Sequence, residues 1–209
     1  MGNYGGSMRL VIVGNAGQPS SSFSEEKTPS KDIAQFIDES DIVIRFGRVK
    51  NQQEGWTGAR TDILYMRGNG KPAFKYSETP INFERVERPK QIVSVVDMHG
   101  YKRRRPDKRE KNDYTDKIVA LNRFDPAVVS RLDQKILVEV RGLLQRAGSE
   151  LMPSLGLASF VHVLGNPELE SHEKFVVGFT FGGWEGHDWQ QEQRLAEAWF
   201  ASGALKPLA

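Results

Sequence analysis

The chain has 209 residues, 38% hydrophobic and 27% charged, enough for one sizeable core or at most a small two-part body. It holds no apolar run of membrane-span length, and no basic segment leads into an apolar one at its start, so neither a spanning helix nor a secretory signal is expected. A net charge of +2 supplies no global field for nucleic acid, and the lack of cysteine excludes disulfides and thiolate metal sites, a usage that fits a cytoplasmic protein.

Residues 1–7 read as a flexible N-terminal extension, and 8–209 as one α/β domain. Five of the six residues in 8–13 are apolar and run straight into Gly14-Asn15-Ala16-Gly17. A continuous apolar run rich in β-branched residues predicts a strand buried on both faces, the kind found in parallel sheets. The glycine loop then lies at the strand's carboxyl end, where open α/β sheets place ligands. An ordinary strand-to-loop turn is the alternative reading of Gly-x-x-Gly. A polar Pro- and Ser-rich loop follows. Ser30 is a good N-cap for a helix over 31–39, whose apolar face is Ile33, Phe36 and Ile37. Residues 41–46 predict the second strand, and 62–66, 91–96 and 117–121 three more.

The segment 101–111, with Lys102, Arg103, Arg104 and Arg105, reads as an exposed loop, either simply solvated or in contact with an anion. Apolar residues at 132, 136, 137, 140, 143 and 144 recur at helical spacing, which predicts a helix over 130–146 ended by Gly148. A short apolar helix over 154–164, a strand over 175–181 and a helix over 189–200 complete the chain. Strands alternating with helices predict an α/β/α sandwich around a mainly parallel sheet.

Four segments, in this order, resemble the sialyltransferases of glycosyltransferase family 29. Val13-Gly14-Asn15-Ala16-Gly17 is similar to that family's V-G-N-S-G. Ile37-Asp38, then 41–46 with Arg45, then Gly58-Ala59-Arg60-Thr61 follow the rest of its large motif. Pro153-Ser154-Leu155-Gly156 is similar to the P-S-T-G of its small motif, and His187 with Glu192 to its H-x-x-x-x-E. Gly178-Phe179 resembles the family's G-F. The chain departs from the pattern at Gly47 and Leu155, lacks the histidine-tyrosine motif between Phe179 and His187, and lacks the cysteines. The strand ending in Gly14-Asn15, the Ile44-Arg45-Phe46 strand and the 67–73 segment also resemble small bacterial proteins labelled urease operon accessory proteins.

The resemblance implies a Rossmann-like sheet of variant GT-A type and a CMP or CMP-sugar partner. It also implies transfer of sialic acid, or a related 3-deoxy acid sugar, to an unidentified glycan acceptor. A non-catalytic nucleotide-binding accessory protein is the alternative. The nucleotide-contacting residues it implies are Gly14, Asn15, Gly17, Arg45, Ser154 and Gly156; the catalytic ones are His187 and Glu192. No Asp-x-Asp occurs, so no divalent-metal sugar-nucleotide site and no further cofactor is expected.

A base near neutral pKa suits removal of the acceptor proton, and a histidine before a helix start is held neutral by the dipole. The same patch also reads as a helix cap, since Asp188 and Gln191 have capping-box spacing. Glu192, five residues from His187, does not share its helix face and is a better partner for a loop backbone or strand. Arg45 either neutralises phosphate or pairs with Asp38, Asp41 or Asp62. Asn15 and Ser154 read equally as a turn residue and a helix cap. His162, in an apolar helix, reads as a satisfied core residue.

Overall fold

The computed structural model describes residues 7–15, 30–49, 55–97 and 111–208. Within them the strands are β1 (Arg9–Val13), β2 (Ile42–Phe46), β3 (Ile63–Arg67), β4 (Gln91–Val95), β5 (Val129–Arg131), β6 (Glu173–Val177) and β7 (Lys206–Pro207). The helices are α1 (Ser30–Asp38), α2 (Gly70–Tyr76), α3 (Thr115–Asn122), α4 (Gln134–Arg146), α5 (Leu155–Gly165) and α6 (Trp189–Ala201). The strands make one parallel sheet in the order β5-β4-β3-β2-β1-β6-β7. The chain therefore builds outward from β1 to one edge, then crosses to the other side of β1 with β6. That reversal places a crevice at the carboxyl ends of β1 and β6, the position where such sheets hold ligands.

Strand alternation distributes the core between two helical layers. Leu10, Ile12, Ile44, Phe46 and Tyr65 face α4, α5 and α6, meeting Leu137, Ala158, Phe160 and Ala196. Val11, Val13, Val43 and Val177 face the other way, against Ile33 and Ile37 of α1 and against Trp56. Leu64, Met66 and Ile92 continue that second face onto Ala73 of α2 and Ile118 and Val119 of α3. Both faces are covered, which is why β1 to β4 read as near-continuous apolar runs.

Three expectations are corrected. Residues 117–121 are not a strand but most of α3. Thr115, Ile118, Val119 and Asn122 are its buried positions, the Thr115 N–H donates to Asp113, and Arg123 ends it at φ 51°. Over five residues, a β-branched run reads alike as strand or helix. The helix expected over 130–146 starts only at Gln134, because Asp133 accepts from the Lys135 N–H, and the residues before it form edge strand β5. The strand expected over 175–181 leaves the sheet at Gly178, which has a φ of 72°. The start of α1 at Ser30 fits the expected helix, although the Ser30 side chain lies outside the described residues.

Candidate functional site at the carboxyl edge of the sheet

The ends of β1 and β6 meet main chain to main chain. The Gly14 N–H donates to the Val177 carbonyl over 2.8 Å. A Cβ on Gly14 would stand 2.1 Å from the Gly178 carbonyl oxygen, and one on Gly178 would stand 3.2 Å from the Gly14 oxygen. Glycine at 14 and 178 is therefore demanded by the strand junction itself. Asn15 Nδ2 donates to the Phe46 carbonyl over 3.2 Å, stitching the end of β1 to the end of β2. Gly17 lies outside the described residues.

Phe179 floors this edge. Its ring lies 5.7 Å from that of Phe46 and 5.0 Å from that of Phe160, centroid to centroid. A Cβ on Gly156 would stand 2.7 Å from the same ring, which a Cβ on Gly14 would also reach, at 2.9 Å. The Gly14 turn and the Ser154–Gly156 turn thus converge on one aromatic side chain. A cavity of about 10 Å³, room for about one water, lies between Ser154, Leu157, Phe160, Phe179, Phe181, Trp189 and Glu192.

Ser154 caps α5, its Oγ accepting from the Leu157 N–H over 3.0 Å. Its own N–H and hydroxyl donate to the two carboxylate oxygens of Glu192, over 2.8 and 2.5 Å. Glu192 thus grips a loop backbone and not the imidazole of His187, as its spacing implied. Burial pushes its carboxyl up to about 7, against the two Ser154 hydrogen bonds and the Arg67 cation, which pull it down. The Ala158 N–H donates to the Ser154 carbonyl. The Leu155 and Gly156 N–H groups then make no hydrogen bond among the described residues, and they open a helix whose positive end suits an anion.

His187 is half-buried just before α6. Its Nδ1 lies 2.6 Å from the Met152 carbonyl, two residues before Ser154. A carbonyl only accepts, so Nδ1 carries a proton. The ring lies edge-on to Trp184 and Trp189, 4.9 Å from each. The Met152 N–H donates back to the Gly186 carbonyl over 3.1 Å. Capping belongs to the neighbouring residue: Asp188 accepts from the Gln191 N–H. The cap of this patch is therefore carried by Asp188 and not by His187.

Arg45 corrects both of its expectations. It leaves β2 on the face opposite Phe46 and is 2% exposed. It donates to the carbonyls of Arg60, Thr57 and Gly58 over 2.9, 2.6 and 3.1 Å, and it forms no ion pair with Asp38, Asp41 or Asp62. Burial lowers its pKa to about 10, while Asp38 acts to raise it. Asp38 grips the same turn from below, accepting from the Ala59 and Arg60 N–H groups, each over 2.8 Å. The Asp38, Arg45 and Gly58–Thr61 portions of the large motif are therefore one scaffold, and Arg60 and Lys90 are the residues that pair with Asp62, at 2.9 and 2.7 Å. His162 is half-buried and hydrogen-bonded, its Nδ1 2.6 Å from the Tyr65 hydroxyl.

Sequence reasoning missed Arg67, Phe179 as the floor, and the Met152 carbonyl. Arg67 ends β3 and donates to the Pro153 carbonyl. An arginine closing an apolar strand was the available signal.

No family model matches the chain. A crystal structure of a mammalian sialyltransferase matches it with a TM-score of 0.57 and 15% identity, over 97% of this chain and 69% of that one. The fold is that of the sialyltransferases. A sialyltransferase CST-II variant in complex with CMP shares this fold at a TM-score of 0.54 and 11% identity, over 96% of this chain and 81% of that one. In sequence, the chain is 24% identical over 220 residues to the urease operon 23 kDa accessory protein of Rhizobium meliloti (strain 1021). That match covers 95% of this chain and 92% of the relative. Among the described residues, no helix is long and apolar enough to cross a membrane.

Proposed function

We propose that this chain is a sialyltransferase-like glycosyltransferase. It binds a CMP-linked sugar at the carboxyl ends of β1 and β6 and passes sialic acid, or a related 3-deoxy acid sugar, to a glycan hydroxyl. The displacement is inverting and metal-independent. The observation that carries this reading is the 2.6 Å contact of His187 Nδ1 with the Met152 carbonyl. In the neutral ring that contact puts the lone pair on Nε2, the form a general base needs, two residues from the anion-facing turn of α5.

Nε2 takes the acceptor's hydroxyl proton as that oxygen attacks the anomeric carbon from the side opposite CMP. The bond from that carbon to the CMP oxygen breaks, and its electron pair leaves on the phosphate. The Leu155 and Gly156 N–H groups and the α5 dipole offset the charge that develops there. Gly14 and Asn15 form the donor side. Glu192 acts by holding Ser154, and Arg45 by holding the 57–60 turn.

One observation favours a second reading. A relative matching 95% of the chain is a urease operon accessory protein. In that reading the crevice binds a nucleotide and performs no transfer. Release of CMP from CMP-sialic acid, measured over a panel of glycan acceptors, separates the two. In the first reading His187→Ala lowers turnover by about two to four orders of magnitude and leaves CMP affinity unchanged. CMP binding without release by the unaltered protein assigns the second.

A further inference from the structure

Among the described residues, Trp184 is the one aromatic side chain that stands exposed, at 49%. It is not a loose surface group. The His187 N–H donates to the Trp184 carbonyl over 3.2 Å, which closes a tight turn over 184–187. Trp189 Nε1 donates to the same carbonyl over 3.0 Å. The turn is tied in both directions to the segment before α5: the Met152 N–H donates to the Gly186 carbonyl, and His187 Nδ1 donates to the Met152 carbonyl. The indole itself lies over Gly186. A Cβ at 186 would stand 2.2 to 2.4 Å from three adjacent carbons of its six-membered ring, so one face of the ring rests on the glycine backbone. Its exposed surface is therefore held in a fixed place, on the same four-residue turn as His187.

We propose that Trp184 binds the acceptor, its exposed ring a platform on which a neutral pyranose of the glycan stacks by its C–H face. The proposal rests on the reading of His187 as the general base. A base must come within hydrogen-bond reach of the hydroxyl it deprotonates. The Nδ1 side of His187 is taken by Met152, and its ring stands edge-on to Trp184 and Trp189, 4.9 Å from each. A sugar with a hydroxyl at Nε2 therefore lies against one of these two rings. Trp189 is half-buried and lines the one-water cavity beside Ser154 and Glu192, whereas Trp184 faces solvent, the side from which a glycan arrives. A pyranose carries its hydroxyls around the rim and C–H groups on its faces, so it covers an indole while its hydroxyls stay hydrated. Glu185 within the turn and Asp188 after it select against an anion at this place, which separates it from the phosphate-facing start of α5. Because platform and base share one turn, stacking also fixes which hydroxyl meets Nε2.

The test uses the full chain in the presence of CMP, titrated with the methyl glycosides of galactose, glucose, N-acetylgalactosamine and N-acetylglucosamine. At least one of them should shift the tryptophan emission to the blue and saturate, and Trp184→Ala should abolish that shift while circular dichroism stays unchanged. In transfer from CMP-sialic acid to the same glycoside, Trp184→Ala should raise the acceptor KM by about tenfold or more, with a smaller effect on kcat and none on CMP affinity. Trp184→Phe, which keeps a ring, should recover most of the loss. Should Trp184→Ala fail to fold, Gly186→Ala keeps the indole but lifts it from its seat and should raise the same KM. An emission response or an acceptor KM that survives Trp184→Ala overturns the proposal and leaves the reading of His187 standing. A response lost in Trp184→Ala, with no CMP released by the unaltered protein, supports the sugar platform and removes the transfer reading. No response to any of the glycosides overturns the platform, whatever the transfer assay gives.

Discussion

Replacing Glu192 by glutamine tests the physics of the buried edge without removing its hydrogen bonds. Glu192 is 2% exposed, and its carboxyl is pushed from the usual 4.5 up to about 7. Between those values the folded chain holds a proton that the unfolded chain has lost. The stabilising contribution is therefore full below pH 4.5 and drains away as pH rises through 7. The distance between the two values corresponds to on the order of 3 kcal/mol of stability lost by neutral to alkaline pH. A glutamine stays neutral throughout. Its oxygen accepts from the Ser154 N–H, and its amide donates to the Ser154 oxygen. Urea denaturation at pH 5 and pH 8 should give Glu192→Gln and the parent similar stability at the lower pH, within about 1 kcal/mol. At pH 8 the variant should be the more stable by on the order of 2–3 kcal/mol. A difference that does not change with pH, or a variant that loses ground as pH rises, would refute the reasoning.

Three further substitutions probe the scaffold. Gly14→Ala drives a methyl into the Gly178 carbonyl and should cost about 3 kcal/mol or more in urea denaturation, whereas Gly165→Ala, with open space around it, should be neutral or mildly stabilising. Arg45→Met strips three carbonyls of their donor and should cost about 3 kcal/mol or more, read as a fall in thermal midpoint; a near-neutral result would return Arg45 to the solvent-facing side of the crevice.

The sheet was legible where its strands are buried on both faces. Leu10 to Val13, and Ile42 to Phe46 apart from Arg45, are apolar because helices cover both sides, so composition alone marks them. Strand β5 is three residues long at an edge, and β7 is a two-residue edge strand containing Pro207, so neither carries a periodic signal. Helix α3 was lost because Ile118, Val119 and Leu121 satisfy two periods at once.

In the site, local chemistry was readable and partners were not. Ser154 as cap, Asp188 as cap and the non-pairing of Glu192 with His187 follow from spacing. The Ser154–Glu192 contact joins residues 38 positions apart, which no local pattern encodes. Arg45 was weighed only against charged partners, but backbone carbonyls of a turn satisfy a guanidinium equally well. Arg67 stands in sequence one residue beyond the strand predicted over 62–66. Only the approach of α5 and α6 makes it a buried cation.

The most direct test of a cytidine-nucleotide crevice at the β1–β6 junction is calorimetric titration of the full chain with CMP, repeated on Asn15→Ala. The expected result is saturable one-to-one binding that weakens in the variant while its fold, followed by circular dichroism, is kept. Absence of saturable CMP binding by the unaltered protein, or equal affinity in the folded variant, would contradict it.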